Sequence, residues 1–249
     1  MTGLGIITAN QEPKRLAFVT PAVWQKIKAN QECMEKGMTD LDRIRLFDEW
    51  AKNYDDSVIS ADDYPFDGYE RVLDRIAEIV KPNVKMKVLD LGTGTGNLAK
   101  RFIEHRVNVW GVDYSSEMLA EAKKKFPRMK VICADLLGDW MEELGERFDC
   151  IVSAYVLHEF DVAAKMDLLQ RLAENLLMDR GCFVIGDIAF PTQKALEQVQ
   201  QSAADRWDEE EYYWVADETL GFCDRIGFQA KYEQLSSCGG VFVIRRRGD

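Results

Sequence analysis

The chain of 249 residues is 47% hydrophobic and 30% charged, as expected for a globular protein, and carries a formal net charge of −11. No apolar run approaches the ~20 residues of a membrane-spanning helix, so we expect no membrane partner. The acidic charge opposes binding to a polyanion and disfavours nucleic acid as a partner. These data do not predict the oligomeric state.

The cysteines and the N-terminal segment indicate a reducing compartment. None of the six cysteines forms a C-x-x-C pair, so we expect buried free thiols and neither a disulfide framework nor a metal site. The first residues contain no basic region followed by an apolar stretch, which argues against a secretory signal. We therefore predict a cytoplasmic protein.

Helical patterns dominate the first third of the chain. Thr20 and Pro21 are typical of a helix start, and Gly37 of its end. Apolar residues at three- and four-residue spacing predict two further helices, over residues 41–54 and 69–80. We assign residues 1–60 to an N-terminal helical extension and residues 61–249 to one domain.

From residue 87 onward, short apolar runs alternate with helical patterns. Strands are predicted at 87–91, 107–112, 129–134, 150–154 and 182–187, and helices at 97–105, 116–125, 139–144 and 161–177. This alternation favours a parallel sheet with helices on both faces. A polar helical region over 193–227 precedes two strands, 228–235 and 241–246, joined as a hairpin. The predicted fold is α/β, a Rossmann-like doubly wound, mostly parallel seven-stranded sheet with an antiparallel C-terminal strand.

A glycine loop follows the first of these strands. Gly92, Gly94 and Gly96 stand between a buried strand and a helix, and Asp113 ends the next strand, 21 residues after Gly92. Nicotinamide, flavin and S-adenosylmethionine sites share this pattern, in which the acid accepts ribose hydroxyls. The third glycine comes one place earlier than in the dinucleotide motif. Asp90 would be awkward beside a pyrophosphate but suits a ligand with an amino group and a sulfonium, so a nicotinamide dehydrogenase is the weakest alternative.

Four successive segments, VLDLGTGTGNL, VWGVDYSSEML, VICADLL and FDCIVSAYVLHEF, resemble the motifs of class I S-adenosylmethionine-dependent methyltransferases over roughly residues 47–247. The resemblance implies that Asp90 and the glycine loop hold the methionine portion of the cofactor and that Asp113 holds the ribose. It also implies that Tyr114 and Met118 flank the adenine, with Asp135 and Leu136 binding its edge. The cofactor set that we predict along these segments is Asp90, Gly92, Thr93, Gly94, Asn97, Asp113, Tyr114, Met118, Asp135, Leu136 and Tyr155.

A narrower resemblance lies in residues 47–55, FDEWAKNYD. This segment is similar to the F-D-x-W-A-x-x-Y-D opening of short bacterial YrrT-like methyltransferases, many of which have no assigned substrate. The resemblance implies that the N-terminal extension forms a lid over the cofactor, with Trp50 and Tyr54 lining the methionine end. The alternative is an ordinary amphipathic helix whose aromatic side chains face the core.

The methyl acceptor is expected beyond the fourth strand, where residues 153–160 follow. His158 and Tyr155 are the catalytic candidates, His158 as a general base because its unperturbed pKa of ~6.5 suits proton transfer at neutral pH. The alternative for His158 is a residue that shapes the pocket. Candidate substrate residues are His158, Glu159, Tyr212 and Tyr213, of which the last two lie in a lid insertion near residues 190–220. The acidic run beside them is also typical of a solvated helix face.

The predicted function is methyl transfer from S-adenosylmethionine to a small-molecule acceptor with an O, N or S nucleophile. The sulfonium is already an activated electrophile, so the protein mainly provides an in-line, desolvated approach. The alternatives are an RNA or protein methyltransferase and a non-catalytic S-adenosylmethionine-binding sensor or assembly protein.

Overall fold

A computed structural model describes residues 48, 51, 54–59, 64–203 and 206–248. The predicted helix that starts at Thr20, most of the predicted helix over residues 41–54, and Trp50 lie outside the described residues. Most of the predicted extension over residues 1–60 does so too. Among the described helices, none is long and apolar enough to cross a membrane.

Seven helices and eight strands make up the described part of the chain. The helices are α1 (Tyr54–Ile59), α2 (Tyr69–Val80), α3 (Asn97–Ile103), α4 (Ser116–Lys125), α5 (Val162–Asn175), α6 (Gln193–Ala203) and α7 (Ala216–Arg225). The strands are β1 (Lys87–Leu91), β2 (Asn108–Asp113), β3 (Lys130–Cys133), β4 (Phe148–Ala154), β5 (Leu177–Phe190), β6 (Trp214–Val215), β7 (Phe228–Gln234) and β8 (Gly239–Arg246).

The strands form one sheet in the order β3-β2-β1-β4-β5-β8-β7, with β6 paired to β5 outside this path. The five strands β1 to β5 run parallel, whereas β8 is antiparallel to both β5 and β7. The predicted fold class and the antiparallel C-terminal strand are therefore confirmed. The prediction of seven strands missed β6, which contains only two residues and gives no detectable alternation.

The region over residues 193–227 is not one helical stretch. Helix α6 ends at Ala203 and α7 begins only at Ala216. Between them Trp207, Tyr213 and Trp214 are buried, and Trp207 and Tyr213 pack against Phe190 of β5. The helix predicted near residues 139–144 is a single 3-10 turn, Met141–Glu143.

Buried apolar side chains lie on both faces of the sheet. On one face Val72, Leu73 and Ile76 of α2 are fully buried. On the other face α5 contributes Leu168 and Leu172 to a second cluster. These two layers leave the carboxyl ends of the central strands open. The order of the parallel strands reverses between β1 and β4, and in open α/β sheets a ligand binds at this position.

The described cysteines are free thiols, as predicted. Burial was predicted for all of them and is seen for four, whereas Cys133 at the end of β3 is exposed.

Candidate active site

A cavity of about 440 Å³ opens at the carboxyl ends of β1, β2 and β4. Most of its wall was predicted from the sequence as cofactor-binding. The predicted residues that line it are Tyr54, Asp90, Gly92, Thr93, Gly94, Asn97, Asp113, Tyr114, Met118, Asp135, Leu136 and Tyr155. The structure thus brings together the predicted set apart from Trp50, which lies outside the described residues.

The glycine loop forms the floor of this cavity. Gly92 and Gly94 have φ angles of 63° and 52°, a left-handed conformation that strains any other residue. A Cβ at Gly92 would lie 2.3 Å from Val156 Cγ2, whereas a Cβ at Gly94 would meet nothing within 4 Å. The loop therefore packs tightly below Gly92 and presents bare backbone to the cavity at Gly94.

Asp90 is a buried carboxyl beside the loop, with 1% of its surface exposed. The Thr93 hydroxyl donates a hydrogen bond of 2.7 Å to Asp90 Oδ2. Burial and the charge of Asp113 raise the pKa of Asp90 to about 7, although the Thr93 bond acts in the opposite direction. A positively charged ligand group would restore its ionisation, so the site fits a ligand that carries an amino group or a sulfonium.

Asp113 ends β2 and is 7% exposed. Its carboxylate accepts hydrogen bonds from the backbone N–H groups of Gly94 at 2.8 Å and Ser115 at 2.9 Å. Burial raises the pKa of Asp113 despite these bonds. Ser115 caps α4 by accepting the Met118 N–H, so the same turn fixes the acid and the start of the helix.

The segment before α2 contacts the same loop. The Ser115 hydroxyl donates to Asp48 Oδ1 at 2.6 Å, and the Thr95 hydroxyl donates to Asp55 Oδ1 at 2.5 Å. Asp55 also pairs with Lys125. These contacts hold Asp48 and Asp55 against the glycine loop and the start of α4.

Tyr69 and Tyr155 line the cavity with aromatic rings. The Tyr155 ring lies 5.0 Å from the Tyr69 ring and 6.0 Å from the Phe66 ring, measured between centroids. Tyr155 has φ 56°, an uncommon value for a residue with a side chain. Its buried hydroxyl has no hydrogen-bond partner within the described residues. Tyr69 was not among the predicted site residues, because it begins the predicted helix over residues 69–80 and lies on its buried apolar face.

His158 does not line the cavity. It lies in the 3-10 turn Leu157–Glu159, with Nδ1 2.6 Å from Asp187 Oδ1 and Nε2 3.7 Å from Glu211 Oε1. Burial alone would lower the pKa of His158, but the charges of Asp187 and Glu211 raise it to about 10. The imidazole therefore keeps its proton at neutral pH, which does not fit the predicted general base.

Asp187 was not predicted as a site residue, yet it organises this corner. Its carboxylate accepts hydrogen bonds from the His158 and Ile188 N–H groups at 3.0 and 2.9 Å, and from Trp214 Nε1 at 2.9 Å. The charge and the side-chain hydrogen bond of His158 lower the pKa of Asp187 despite complete burial, and the charge of Lys165 and the Trp214 bond act in the same direction. The sequence feature that could have indicated Asp187 is its position as an acidic residue inside the apolar run of β5.

The other candidate substrate residues lie in different places. Glu159 lines the cavity, whereas Tyr212 and Tyr213 do not. Tyr212 is 51% exposed, and its N–H donates to the His158 carbonyl. Tyr213 is buried, where it accepts a hydrogen bond from the Tyr64 hydroxyl.

Comparisons with known proteins agree with this geometry. A family model described as a methyltransferase domain matches residues 88–179. An uncharacterized methyltransferase of Geobacillus kaustophilus is 32% identical over 206 residues, which cover 78% of this chain and 92% of that protein. The uncharacterized methyltransferase YrrT of Halobacillus halophilus is 27% identical over 214 residues, or 82% and 97% of the two chains.

Solved structures share the fold. DhpI in complex with SAH superposes with a TM-score of 0.62 at 16% identity and covers 83% of this chain and 96% of its own. A TehB-like SAM-dependent methyltransferase of Corynebacterium glutamicum gives a TM-score of 0.56 at 21% identity, with coverage of 81% and 98%.

The doubly wound sheet, the glycine loop and the acids that follow it define a class I methyltransferase whose cofactor is S-adenosylmethionine. The chain belongs to the family of bacterial methyltransferases represented by the Geobacillus and YrrT proteins. The predicted class, enzyme type and cofactor are confirmed.

Proposed function

We propose that this methyltransferase acts on a small-molecule acceptor with an O, N or S nucleophile. The observation that carries the proposal is the charge of the cavity wall. Asp90, Asp113, Asp135 and Glu159 line it, and the described lining residues include no lysine, arginine or histidine. A phosphate backbone is bound mainly through lysine and arginine, so this wall suits a neutral or cationic small molecule better than RNA.

The cofactor would extend across the ends of three neighbouring strands. Asp90 lies in β1, Asp113 ends β2, and Asp135 follows β3. Neighbouring strands lie ~4.8 Å apart, so these carboxylates span about 10 Å, a length that suits an extended amino acid joined to a nucleoside. We assign Asp90 and the glycine loop to the methionine portion, Asp113 to the ribose, Tyr114 and Met118 to the adenine faces, and Asp135 with Leu136 to its edge.

The bound cofactor supplies an activated methyl group on a sulfonium. In the reaction a bond forms between the acceptor atom and the methyl carbon while the carbon–sulfur bond breaks, and the acceptor proton goes to solvent. The residues of this chain would orient the acceptor and exclude water. Tyr155 and Phe160, which line the cavity, would form the wall behind the acceptor. His158, which holds a proton, would position the loop after β4.

The test is a screen of small thiols, amines and phenols with S-adenosylmethionine, in which the demethylated cofactor is measured. We expect at least one class to give turnover above the rate without acceptor. An RNA pool and a mixture of unfolded proteins serve as comparison substrates. Product with RNA or protein alone would overturn the proposal, and silence across all substrates with intact cofactor binding would favour a sensor.

A further inference from the structure

Three side chains meet at the edge of the cavity in a pattern that the methyl-transfer scheme does not use. One ligand atom each from His158, Glu159 and Glu211 lies within 4.8 Å of the other two. His158 Nε2 is 3.7 Å from Glu211 Oε1, beyond hydrogen-bond distance. Two ligands of one metal ion have a similar separation, because each lies ~2.1 Å from the ion.

The histidine is held in a fixed orientation for such a role. Its side chain is buried with 8% of its surface exposed, and Nδ1 is bound to Asp187 at 2.6 Å. Nε2, the other ring nitrogen, lies 3.7 Å from Glu211 Oε1. Metal-binding histidines almost always donate their other ring N–H to a carboxylate or carbonyl, which fixes the ring. Asp187 provides that carboxylate, and three further donors hold it in place.

The charges around the cluster favour a bound cation. Asp187 is fully buried, and Glu211 has 20% of its side chain exposed. With Glu159 they bring three carboxylates to one imidazole. Without an ion, the protonated imidazole of His158 balances one of these charges. Lys165, a second nearby cation, donates to the Tyr212 carbonyl and lies 4.4 Å above the Trp214 ring. Buried charges need compensation by a partner or a metal.

We propose that His158 Nε2, Glu159 and Glu211 bind one divalent metal ion at the edge of the cavity, and that the Nε2 proton is released to solvent when the ion binds. One imidazole and two carboxylates without a thiolate suit Zn²⁺, Mn²⁺ or Fe²⁺. Three protein ligands leave a coordination position free, and Glu159 lines the cavity, so that position can face the acceptor. If the proposed function holds, the ion would bind the oxygen or nitrogen of the acceptor.

The sequence predicted no metal because it offers a single histidine near the fourth strand and no cysteine pair. Glu211 is separated from His158 by about fifty residues, and only the fold brings it close. Its neighbour Glu210 is exposed, so the acidic run was interpreted as a solvated face.

The experiment titrates the full-length chain with Mn²⁺ and, separately, Zn²⁺ in the absence of cofactor and acceptor. Bound Mn²⁺ is followed by electron paramagnetic resonance and Zn²⁺ by calorimetry. We expect one saturable ion per chain with either metal. Glu159→Gln and Glu211→Gln should each lower the affinity for the metal ion by about tenfold or more, and Asp187→Asn should lower it by about 10- to 100-fold. Glu210→Gln is the matched control and should bind as the unchanged chain does.

Circular dichroism and binding of the demethylated cofactor establish that each variant is folded. The absence of saturable binding, or equal affinity in Glu159→Gln, Glu211→Gln and Glu210→Gln, would overturn the metal site. These measurements do not require turnover. Failure of the metal site with turnover intact is therefore distinct from failure of the proposed function with metal bound.

Discussion

The raised pKa of Asp90 predicts that cofactor binding depends on pH. The carboxyl, with a pKa of about 7 in the free protein, must ionise to pair with the amino group or sulfonium. About half of it is ionised near pH 7 and about 3% near pH 5.5, so affinity should fall about 15-fold, or about 1.6 kcal/mol, over that interval. The measurement is calorimetric titration with the demethylated cofactor, whose amino group, with a pKa near ~8, stays protonated throughout.

The control is Asp90→Asn, which keeps the size of the side chain and removes its titration. The variant should bind more weakly at pH 7 and lose most of the pH dependence. The stability of the unliganded protein should change with pH in the opposite direction to the cofactor affinity. A folded-state pKa above the unfolded value means that unfolding free energy is lost as pH rises from about 4 to about 7, and Asp90→Asn should reduce this loss. If the cofactor affinity of Asp90→Asn depended on pH as steeply as that of the unchanged chain, the reasoning would be refuted. The pH dependence would then come from Asp113 or another group.

Three further predictions concern the loop, the aromatic wall and a buried lysine. Gly92→Ala should lower the unfolding free energy by about 2–5 kcal/mol because its Cβ meets Val156, whereas Gly94→Ala should cost about 1–2 kcal/mol but weaken cofactor binding. Urea unfolding measures the two stability losses, and calorimetry measures cofactor binding. A larger stability loss in Gly94→Ala than in Gly92→Ala would contradict the loop geometry. Tyr155→Phe removes a hydroxyl that has no hydrogen-bond partner within the described residues. Urea unfolding should therefore show an equal unfolding free energy, or one up to about 1 kcal/mol higher. A large loss of unfolding free energy would contradict this prediction. Burial lowers the pKa of Lys165 to about 8, so the unfolded chain binds more protons between about pH 8 and 10, and stability should rise there in the unchanged chain relative to Lys165→Met. The same pH dependence of the unfolding free energy in the two proteins, measured by urea unfolding, would contradict this prediction.

Much of the fold was predictable because local pattern and tertiary contacts agree over residues 69–190. Strand β1 and helices α2 and α4 have the predicted bounds, and β2 and β3 differ by one residue at each end. These elements are short and bounded by turns. The region after Ala203 was less predictable, since aromatic burial against Phe190 overrides the helical pattern. Strand β6 is defined only by its pairing with Ala189 and Phe190 of β5.

The placement of the predicted cofactor residues around one cavity was predictable for a related reason. Asp90, Gly94 and Asp113 each lie at the end of a predicted strand or in the turn that follows it, and parallel strands end at the same edge of a sheet. The acceptor half depends on contacts between distant segments. No local pattern shows that Asp187 would pair with His158, or that Tyr69 would pack against Tyr155. His158 was therefore predicted to be a general base from its unperturbed pKa. The neighbouring carboxylates, which raise this pKa, could not be placed beside it from the sequence.

The packing of Val156 against Gly92 connects these two halves. Because the space of a Cβ at Gly92 is filled by Val156, the loop after β4 rests directly on the cofactor loop. Tyr155 directly precedes Val156 and His158 follows two residues after it, so we expect the positions of both to depend on the conformation of Gly92. A change at Gly92 should thus disturb the acceptor wall as well as the cofactor site. We therefore expect the glycine loop to have a second role besides binding the cofactor, because its packing against Val156 would position the wall of Tyr155 relative to that loop.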